Sequence, residues 1–263
     1  MECCIPKGRR LGRFDGPDGV FMGLVDGGEV EATQARDLSD VLRHGCRSTG
    51  KVYGLDRLST LPPVHRPSKI ICIGLNYRSH IREMGWEAPK VPIIFTKPSS
   101  AIVGPGDGIV IPPASSRVDF EGESAFIVGS RAKDVSDGAD HIFGYTCMND
   151  VTARDLQKTD PDWTRAKGFD TFAPIGPLIS AVAPSRVETR LNGKVVQGSP
   201  LSDRVFGDAE LVEYISTVMT LEPGDVVATG TPSGIAPMKA GDVVEVELDG
   251  VGCLRNPVVA RRP

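Results

Sequence analysis

Short stretches in which apolar and polar residues alternate recur along the chain, and this period of two is typical of half-buried β-strands. After a strand over residues 20–25 and a short one near Val30, further strands are predicted at residues 69–73, 92–96, 108–111, 118–128, 142–147, 178–182 and 225–229. Glycine and proline account for 30 and 21 of the 263 residues, which favours many turns between short strands over helix bundles. The sequence therefore predicts a mainly β protein of the α+β class.

Two hairpins and two helices complete this pattern. Asn192-Gly193 and Asp249-Gly250 each separate two strand-like runs, and both dipeptides suit the positive φ angles of a two-residue primed turn. Residues 32–42 show helical spacing. A second amphipathic helix is predicted after Asp208, its candidate N-cap, and before residues 221–224. We interpret this second helix as packing rather than chemistry.

Residues 61–67 contain three prolines, which resist both a helix and a central strand. We therefore expect a domain boundary there, with a small N-terminal domain over residues 1–66 and a catalytic domain over residues 67–263.

Composition excludes several classes of function. The formal net charge is −4 and there is no basic run, so we expect no nucleic-acid partner. No stretch approaches the ~18 apolar residues of a membrane helix, and the first residues do not resemble a signal peptide. We therefore expect a cytoplasmic protein without a membrane partner. The cysteines have no metal-type spacing and are expected to be reduced thiols: Cys3, Cys4, Cys46, Cys72, Cys147 and Cys253.

Three carboxylates suggest a site for a hard cation. Strand alternation places Glu121 and Glu123 on one face, with Cα atoms ~6.6 Å apart, so that both side chains can reach one ion. Asp150 follows another strand and adds a third oxygen ligand of the kind that Mg²⁺ or Mn²⁺ prefers. The alternatives are a solvated acidic edge strand for the two glutamates and a helix N-cap for Asp150.

His80 and Glu83 are three residues apart and would share one face of a short helix ending at Gly85. A histidine held by a carboxylate is a competent general base, and a short helix suits a lid over bound substrate. The alternative is an exposed pair of helical neighbours. Lys167 lies among aromatic residues, where it could bind an anion or be a surface lysine. The turn over residues 229–234 could hold a carboxylate or be a plain turn.

Taken together, these residues resemble the fumarylacetoacetate hydrolase family, in the style of its acylpyruvase and oxaloacetate decarboxylase members. The resemblance runs from about residue 69 to residue 259. It depends on six segments in one order: Gly74-Leu75-Asn76-Tyr77 with His80 and Glu83, Phe95-Thr96-Lys97-Pro98, Asp119-Phe120-Glu121-Gly122-Glu123, residues 149–157, residues 167–172, and residues 221–225 leading to Thr229-Gly230-Thr231-Pro232.

The resemblance implies a mixed β-sandwich roll with a small N-terminal domain, and a homodimer. It implies Mg²⁺ or Mn²⁺ bound by residues matching Glu121, Glu123 and Asp150. It also implies that the positions of His80 and Glu83 form a water-activating pair on a lid and that the position of Lys167 is a catalytic lysine. The implied substrate contacts are at the positions of Arg154, Gln157 and Thr231. Asn76 stands near the place of an additional metal-binding Asp in the founding hydrolases, so the chain resembles the three-carboxylate subgroup, whose substrate range is broader.

The first functional hypothesis is a metal-dependent hydrolase that cleaves a C–C bond in a 2-oxo acid bearing a second carbonyl, through a pyruvate enolate. The same electrophilic site could instead serve an oxaloacetate decarboxylase or a 2-hydroxymuconate-type isomerase. A third reading is a non-catalytic binding module with the same fold. In the two enzyme readings the expected partner is a small 2-oxo acid.

Overall fold

A computed structural model describes residues 5–261 of the chain, and most of its regular structure is β-strand. Cys3 and Cys4, which we expected to be thiols, lie outside this range. Within it, Cys72, Cys147 and Cys253 are free thiols, as expected. No helix in the described part of the chain is long and apolar enough to cross a membrane.

The strands are β1 Arg10–Gly16, β2 Gly19–Asp26, β3 Glu29–Thr33, β4 Ser48–Gly54, β5 Ser59–Leu61, β6 Ile70–Gly74, β7 Ile93–Lys97, β8 Ile102–Val103, β9 Ile109–Ile111, β10 Val118–Asp119, β11 Gly122–Val128, β12 Ile142–Asn149, β13 Thr152–Ala153, β14 Ala173–Ser180, β15 Arg186–Leu191, β16 Lys194–Pro200, β17 Val226–Ala228, β18 Pro237–Met238, β19 Val243–Leu248 and β20 Gly252–Ala260. The helices are α1 Leu38–His44, α2 Arg78–Met84, α3 Arg154–Thr159, α4 Thr164–Lys167 and α5 Asp208–Val218, with short 3₁₀ helices at Leu55–Arg57, Ser99–Ala101, Gly138–His141 and Leu201–Asp203.

The strands form three sheets, which confirms the expected mixed β fold. The largest has the order β4-β3-β2-β1-β14-β12-β11-β17-β6-β7, with β5 paired to β1 and β8 paired to β14. The second has the order β16-β15-β19-β20-β9, and the third is the short set β13-β10-β18. Apolar side chains pack between the first two sheets, including Cys147 of β12 and Val187 and Val246 of the second sheet. Burying these faces against each other stabilises the roll.

The N-terminal strands join the large sheet directly. Strand β1 pairs antiparallel with β14, with Leu11 opposite Ile179. Leu11 and Met22 are buried in the same apolar cluster as Ile70 and Ile127. The boundary expected near residue 66 stays a prediction, and so do the homodimer and the cytoplasmic location.

Four local predictions were wrong in detail. The helix expected over residues 32–42 forms only at Leu38–His44, because residues 32–33 belong to β3. The strand expected over residues 118–128 is broken at residues 120–121, because β10 pairs with β13 and β18 whereas β11 belongs to the large sheet. The second hairpin has a three-residue loop, since Leu248 pairs with Gly252. The long amphipathic helix begins at Asp208 with Gly207 as its N-cap residue. The Asn192-Gly193 turn is confirmed, with φ angles of 53° and 78°.

Candidate active site and metal centre

Antiparallel pairing of β11 with β12 brings the three candidate metal ligands together. The start of β11 lies against the end of β12, where Gly122 pairs with Asn149. Glu121 directly precedes β11, Glu123 is its second residue, and Asp150 directly follows β12. The backbone N–H of Asp150 donates to the Glu121 carbonyl (2.8 Å). A pairing between residues distant in sequence therefore builds the acidic site.

We call Glu121, Glu123 and Asp150 the acid triad. All three are buried, and their ligand oxygens lie within 4.8 Å of one another. β11 is flanked by β12 and β17, so the alternative of a solvated edge strand is wrong. The N-cap alternative for Asp150 is also wrong, because α3 begins at Arg154 with Ala153 in the cap position. The triad has the donor set and spacing that suit a divalent cation.

Three buried cations neutralise part of the triad. Lys167 Nζ donates to Glu121 Oε2 (2.8 Å) and Asp150 Oδ2 (2.5 Å). Lys97 Nζ donates to Asp150 Oδ1 (2.5 Å) and to the Val151 carbonyl (3.0 Å). The Arg154 guanidinium donates to Glu121.

These contacts decide how the groups ionise. Burial alone would raise the pKa of Glu121, but the charges of Lys167 and Arg154 hold it well below its usual range. Burial opposes the charged form of Lys167, yet Asp150 and Glu121 raise the pKa of that ammonium above its usual value. At neutral pH, Glu121 is therefore a carboxylate and Lys167 a cation.

Glu123 differs from the other two members of the triad because it has no ion pair with a described lysine or arginine. It accepts a hydrogen bond from the Gly230 N–H (2.8 Å), and no lysine or arginine of residues 5–261 forms an ion pair with it. Burial first, and then the charges of Asp150 and Glu121, hold the pKa of Glu123 well above its usual range. A cation bound beside a buried carboxylate that has no cationic partner would stabilise its charged form. The residues present therefore fit a bound Mg²⁺ or Mn²⁺ ion.

We call His80 and Glu83 the dyad. Both lie in α2, which ends at Gly85 in the left-handed conformation. His80 Nδ1 donates to Glu83 Oε2 (2.9 Å), and Glu83 Oε1 accepts from the Gly234 N–H (3.0 Å). The side chain of His80 is only 9% exposed, whereas that of Glu83 is 35% exposed. His80 is therefore not an exposed helical neighbour, as the alternative required.

A cavity of about 260 Å³ lies between the dyad and the triad. One wall is apolar and includes Trp86, Phe95 and Trp163, with Lys167 Nζ 4.9 Å from the centre of the Phe95 ring. Lys158 lies at the exposed rim and forms no ion pair with the described residues. The predicted site residues that line the cavity are His80, Glu121, Glu123, Asp150, Arg154, Gln157, Lys167 and Thr231. Glu83 reaches it through His80.

Hydrogen bonds to neighbouring residues fix the side chains of the three predicted substrate contacts, Arg154, Gln157 and Thr231. Arg154 donates to Gln157 Oε1 (2.5 Å) and to Asp119 Oδ2 (3.0 Å). Thr231 Oγ1 donates to the Gly122 carbonyl (3.0 Å) and accepts from Gln197, which is buried. The structure thus brings every predicted site residue to one place, while the role of each stays a prediction.

Sequence reasoning missed two supporting residues. Lys97 is fully buried on Asp150, and Asp119 binds Arg154 and Arg117. Strand alternation puts Lys97 on the same face as Phe95, and a lysine on the inner face of a strand was an available signal. The ion pair of Asp119 with Arg154 gave no such signal, because it depends on the register of β10 against β13.

Comparisons with known proteins identify the family and support the fold. The fumarylacetoacetate (FAA) hydrolase C-terminal family matches residues 69–259. Oxaloacetate tautomerase fahd2, mitochondrial, from Xenopus laevis is 43% identical over 90% of this chain and 77% of its own length. A crystal structure of 2-hydroxyhepta-2,4-diene-1,7-dioate isomerase from Mycobacterium marinum is 41% identical, with a TM-score of 0.86 over 97% of this chain and all of that one. The structure of fumarylacetoacetate hydrolase from Exiguobacterium antarcticum is 34% identical, with a TM-score of 0.87 over 96% of this chain and all of that one.

Proposed function

Since the chain belongs to the fumarylacetoacetate hydrolase family, we propose that it is a divalent-metal-dependent enzyme that converts 2-oxo acids through their enolates. The observation that supports this most directly is the cavity that joins a buried histidine base to a buried acid triad. The reaction we propose first is proton transfer next to the 2-oxo group, as in a keto–enol tautomerase. The names of the Xenopus and Mycobacterium relatives support this choice over hydrolysis.

Glu121, Glu123 and Asp150 would hold Mg²⁺ or Mn²⁺, which when bound supplies the positive charge that favours an enolate over its keto form. Lys167 faces the same cavity as a permanent cation and would stabilise negative charge on the substrate carboxylate or enolate oxygen. Gln157, fixed by Arg154, would orient the substrate by hydrogen bonding.

The dyad would move the proton. Nδ1 of His80 donates to Glu83, so Nε2 is the nitrogen that carries a free lone pair. Nε2 would remove a proton from the carbon next to the 2-oxo group and leave the electron pair in the enolate. The resulting imidazolium, paired with Glu83, would return the proton to oxygen or to a distal carbon.

C–C bond hydrolysis is the second candidate, because a base held by a carboxylate can also activate water. His80 would take a proton from water, and the hydroxide would add to the second carbonyl of an acylpyruvate. Breaking the C–C bond would leave its electron pair in the enolate of pyruvate, which His80 would protonate.

The rim residue Lys158 bears on the choice of substrate. Lys167, Lys97 and Arg154 are all engaged by carboxylates of the protein, whereas Lys158 is exposed beside the cavity without an ion pair among the described residues. A cation at this place would favour substrates with a second carboxylate, such as oxaloacetate, over those ending in a methyl ketone.

The test follows oxaloacetate enol–keto conversion, acetylpyruvate cleavage and CO₂ release in parallel, with Mn²⁺ and after removal of metal by EDTA. We expect His80→Ala to slow tautomerisation and hydrolysis by roughly 10²- to 10⁴-fold while most of any decarboxylation survives, because CO₂ loss needs no base. His44→Ala, at an exposed position of α1, is the matched control. Full activity in EDTA, or lack of turnover of every 2-oxo acid despite bound Mn²⁺, would refute the proposal. Lack of turnover despite bound Mn²⁺ would instead support a non-catalytic binding module.

A further inference from the structure

One short loop contacts both halves of the proposed active site. We call residues 229–234 the Gly-Thr loop. Its Gly230 N–H donates to Glu123 Oε2 (2.8 Å) and its Gly234 N–H donates to Glu83 Oε1 (3.0 Å). Thr231, between them, lines the cavity. The loop therefore supports one carboxylate of the acid triad and the carboxylate of the dyad.

Glu83 depends on this loop for its orientation. Its Oε2 accepts from His80 and its Oε1 accepts from Gly234, so both oxygens have a defined partner. The side chain is 35% exposed and lies on a helix of seven residues. Without the contact to Gly234, water would compete for the carboxylate and the side chain would sample other rotamers. The hydrogen bond to His80 would then be populated for a smaller part of the time.

Only glycine fits at position 234. Its φ of +102° is a conformation that residues with a side chain rarely adopt, and an added Cβ would lie 2.2 Å from the Val196 carbonyl oxygen. That oxygen belongs to the backbone of β16 and cannot rotate away. Any side chain at residue 234 must therefore displace the backbone at this end of the loop and, with it, the N–H that holds Glu83; the Gly230 N–H that holds Glu123 lies four residues earlier.

We propose that Gly234 is a positioning residue of the dyad: its amide fixes Glu83, which in turn fixes the ring of His80 as the base. The inference rests on the proposed function, since it assumes that His80 acts on substrate. It also links helix α2, the expected lid, to the loop that supports Glu123. A shift of about 1 Å at a catalytic group can cost roughly 100-fold in rate.

Gly234→Ala tests this inference, with Gly241→Ala as the matched control. Gly241 has a similar φ of +96°, and an added Cβ there meets no atom within 4 Å. We expect Gly234→Ala to lower kcat by roughly 10- to 100-fold while KM and Mn²⁺ affinity change by less than about two-fold. For the Gly241→Ala control, kcat, KM and Mn²⁺ affinity should all stay close to the values of the parent protein. A loss of Mn²⁺ affinity parallel to the loss of kcat would overturn the assignment to the dyad.

A double-mutant cycle separates positioning from general damage. If Gly234 acts through Glu83, Gly234→Ala should cost less than about two-fold in a protein that already carries Glu83→Ala. An equal loss in both backgrounds would show that residue 234 acts by another route and would overturn the inference.

Amide hydrogen exchange by NMR supplies a readout that needs no activity and no change at residue 234. We expect Glu83→Ala to speed exchange of the Gly234 amide at least about ten-fold and to leave the Gly241 amide unchanged. Unchanged exchange at Gly234 would refute the inference even in an active enzyme. Absence of turnover in the parent protein would instead refute the proposed function.

Discussion

Replacing Glu123 by glutamine should stabilise the metal-free protein while removing its response to metal. The ligand oxygens of the acid triad lie within 4.8 Å, so two like charges there repel by about 3.5 kcal/mol at an effective dielectric constant of ~20. Lys167 offsets part of the repulsion through its contacts with Glu121 and Asp150. We therefore expect a net gain of about 2 kcal/mol at pH 8, which corresponds to roughly 4–8 °C in Tm for a chain of this size.

The sign of the pH dependence follows from the raised pKa of Glu123. Below the ordinary value of 4.5, Glu123 is protonated in both the folded and the unfolded chain, and the substitution should be nearly neutral. As pH rises above that value, the unfolded chain loses this proton first, so the parent protein loses stability. The advantage of Glu123→Gln should therefore grow from pH 4.5 toward the folded-state pKa.

The assay is thermal unfolding in EDTA at pH 5 and pH 8, repeated with Mn²⁺. The parent protein should gain about 2.7 kcal/mol when Mn²⁺ is at 100 times its Kd, and Glu123→Gln should gain almost nothing. Glu29→Gln, at an exposed position of β3, is the control and should leave Tm unchanged at both pH values. A lower Tm for Glu123→Gln than for the parent at pH 8 in EDTA would refute the reasoning, as would an advantage independent of pH.

Three further substitutions test other parts of the site. His80→Ala should lower kcat for proton transfer by roughly 10²- to 10⁴-fold without changing Mn²⁺ affinity in calorimetry, and a large change in that affinity would contradict the separation of dyad and triad. Lys97→Met should cost roughly 2–4 kcal/mol of stability in denaturant unfolding, because it removes a fully buried partner of Asp150; a neutral effect would mean that Lys167 compensates alone. Lys158→Met should raise KM for oxaloacetate about ten-fold and leave KM for acetylpyruvate nearly unchanged, and equal changes in steady-state KM would remove the rim cation from substrate recognition.

Much of the local architecture could be predicted from the sequence, because it depends on short-range patterns. The alternation around Glu121 and Glu123 is visible in the chain, and so are the spacing of His80 and Glu83 and the positive-φ turn at Asn192. Each of these features involves neighbours in sequence, for which periodicity and turn preferences are informative.

What could not be predicted depends on pairing between distant segments. The ion pair of Lys97 with Asp150 needs β7 and β12 in one sheet, and the contact of Gly234 with Glu83 needs α2 to lie on the Gly-Thr loop. The break at residues 120–121 was missed because a continuous apolar–polar pattern does not show where a strand leaves one sheet for another. Without tertiary structure, these contacts carry no periodic signal.

The pairing of β1 with β14 has a consequence for any shortened form of the protein. A chain beginning after residue 66 would lose β1 to β5 and leave the end of β14, at Ile179 and Ser180, without its antiparallel partner, with open N–H and C=O groups beside the apolar side chain of Ile179. Such borders recruit strands from other molecules, so the shortened protein should aggregate or exchange strands between copies. Strands β1 to β5 should therefore protect the folded protein against such association, whatever part they take in chemistry.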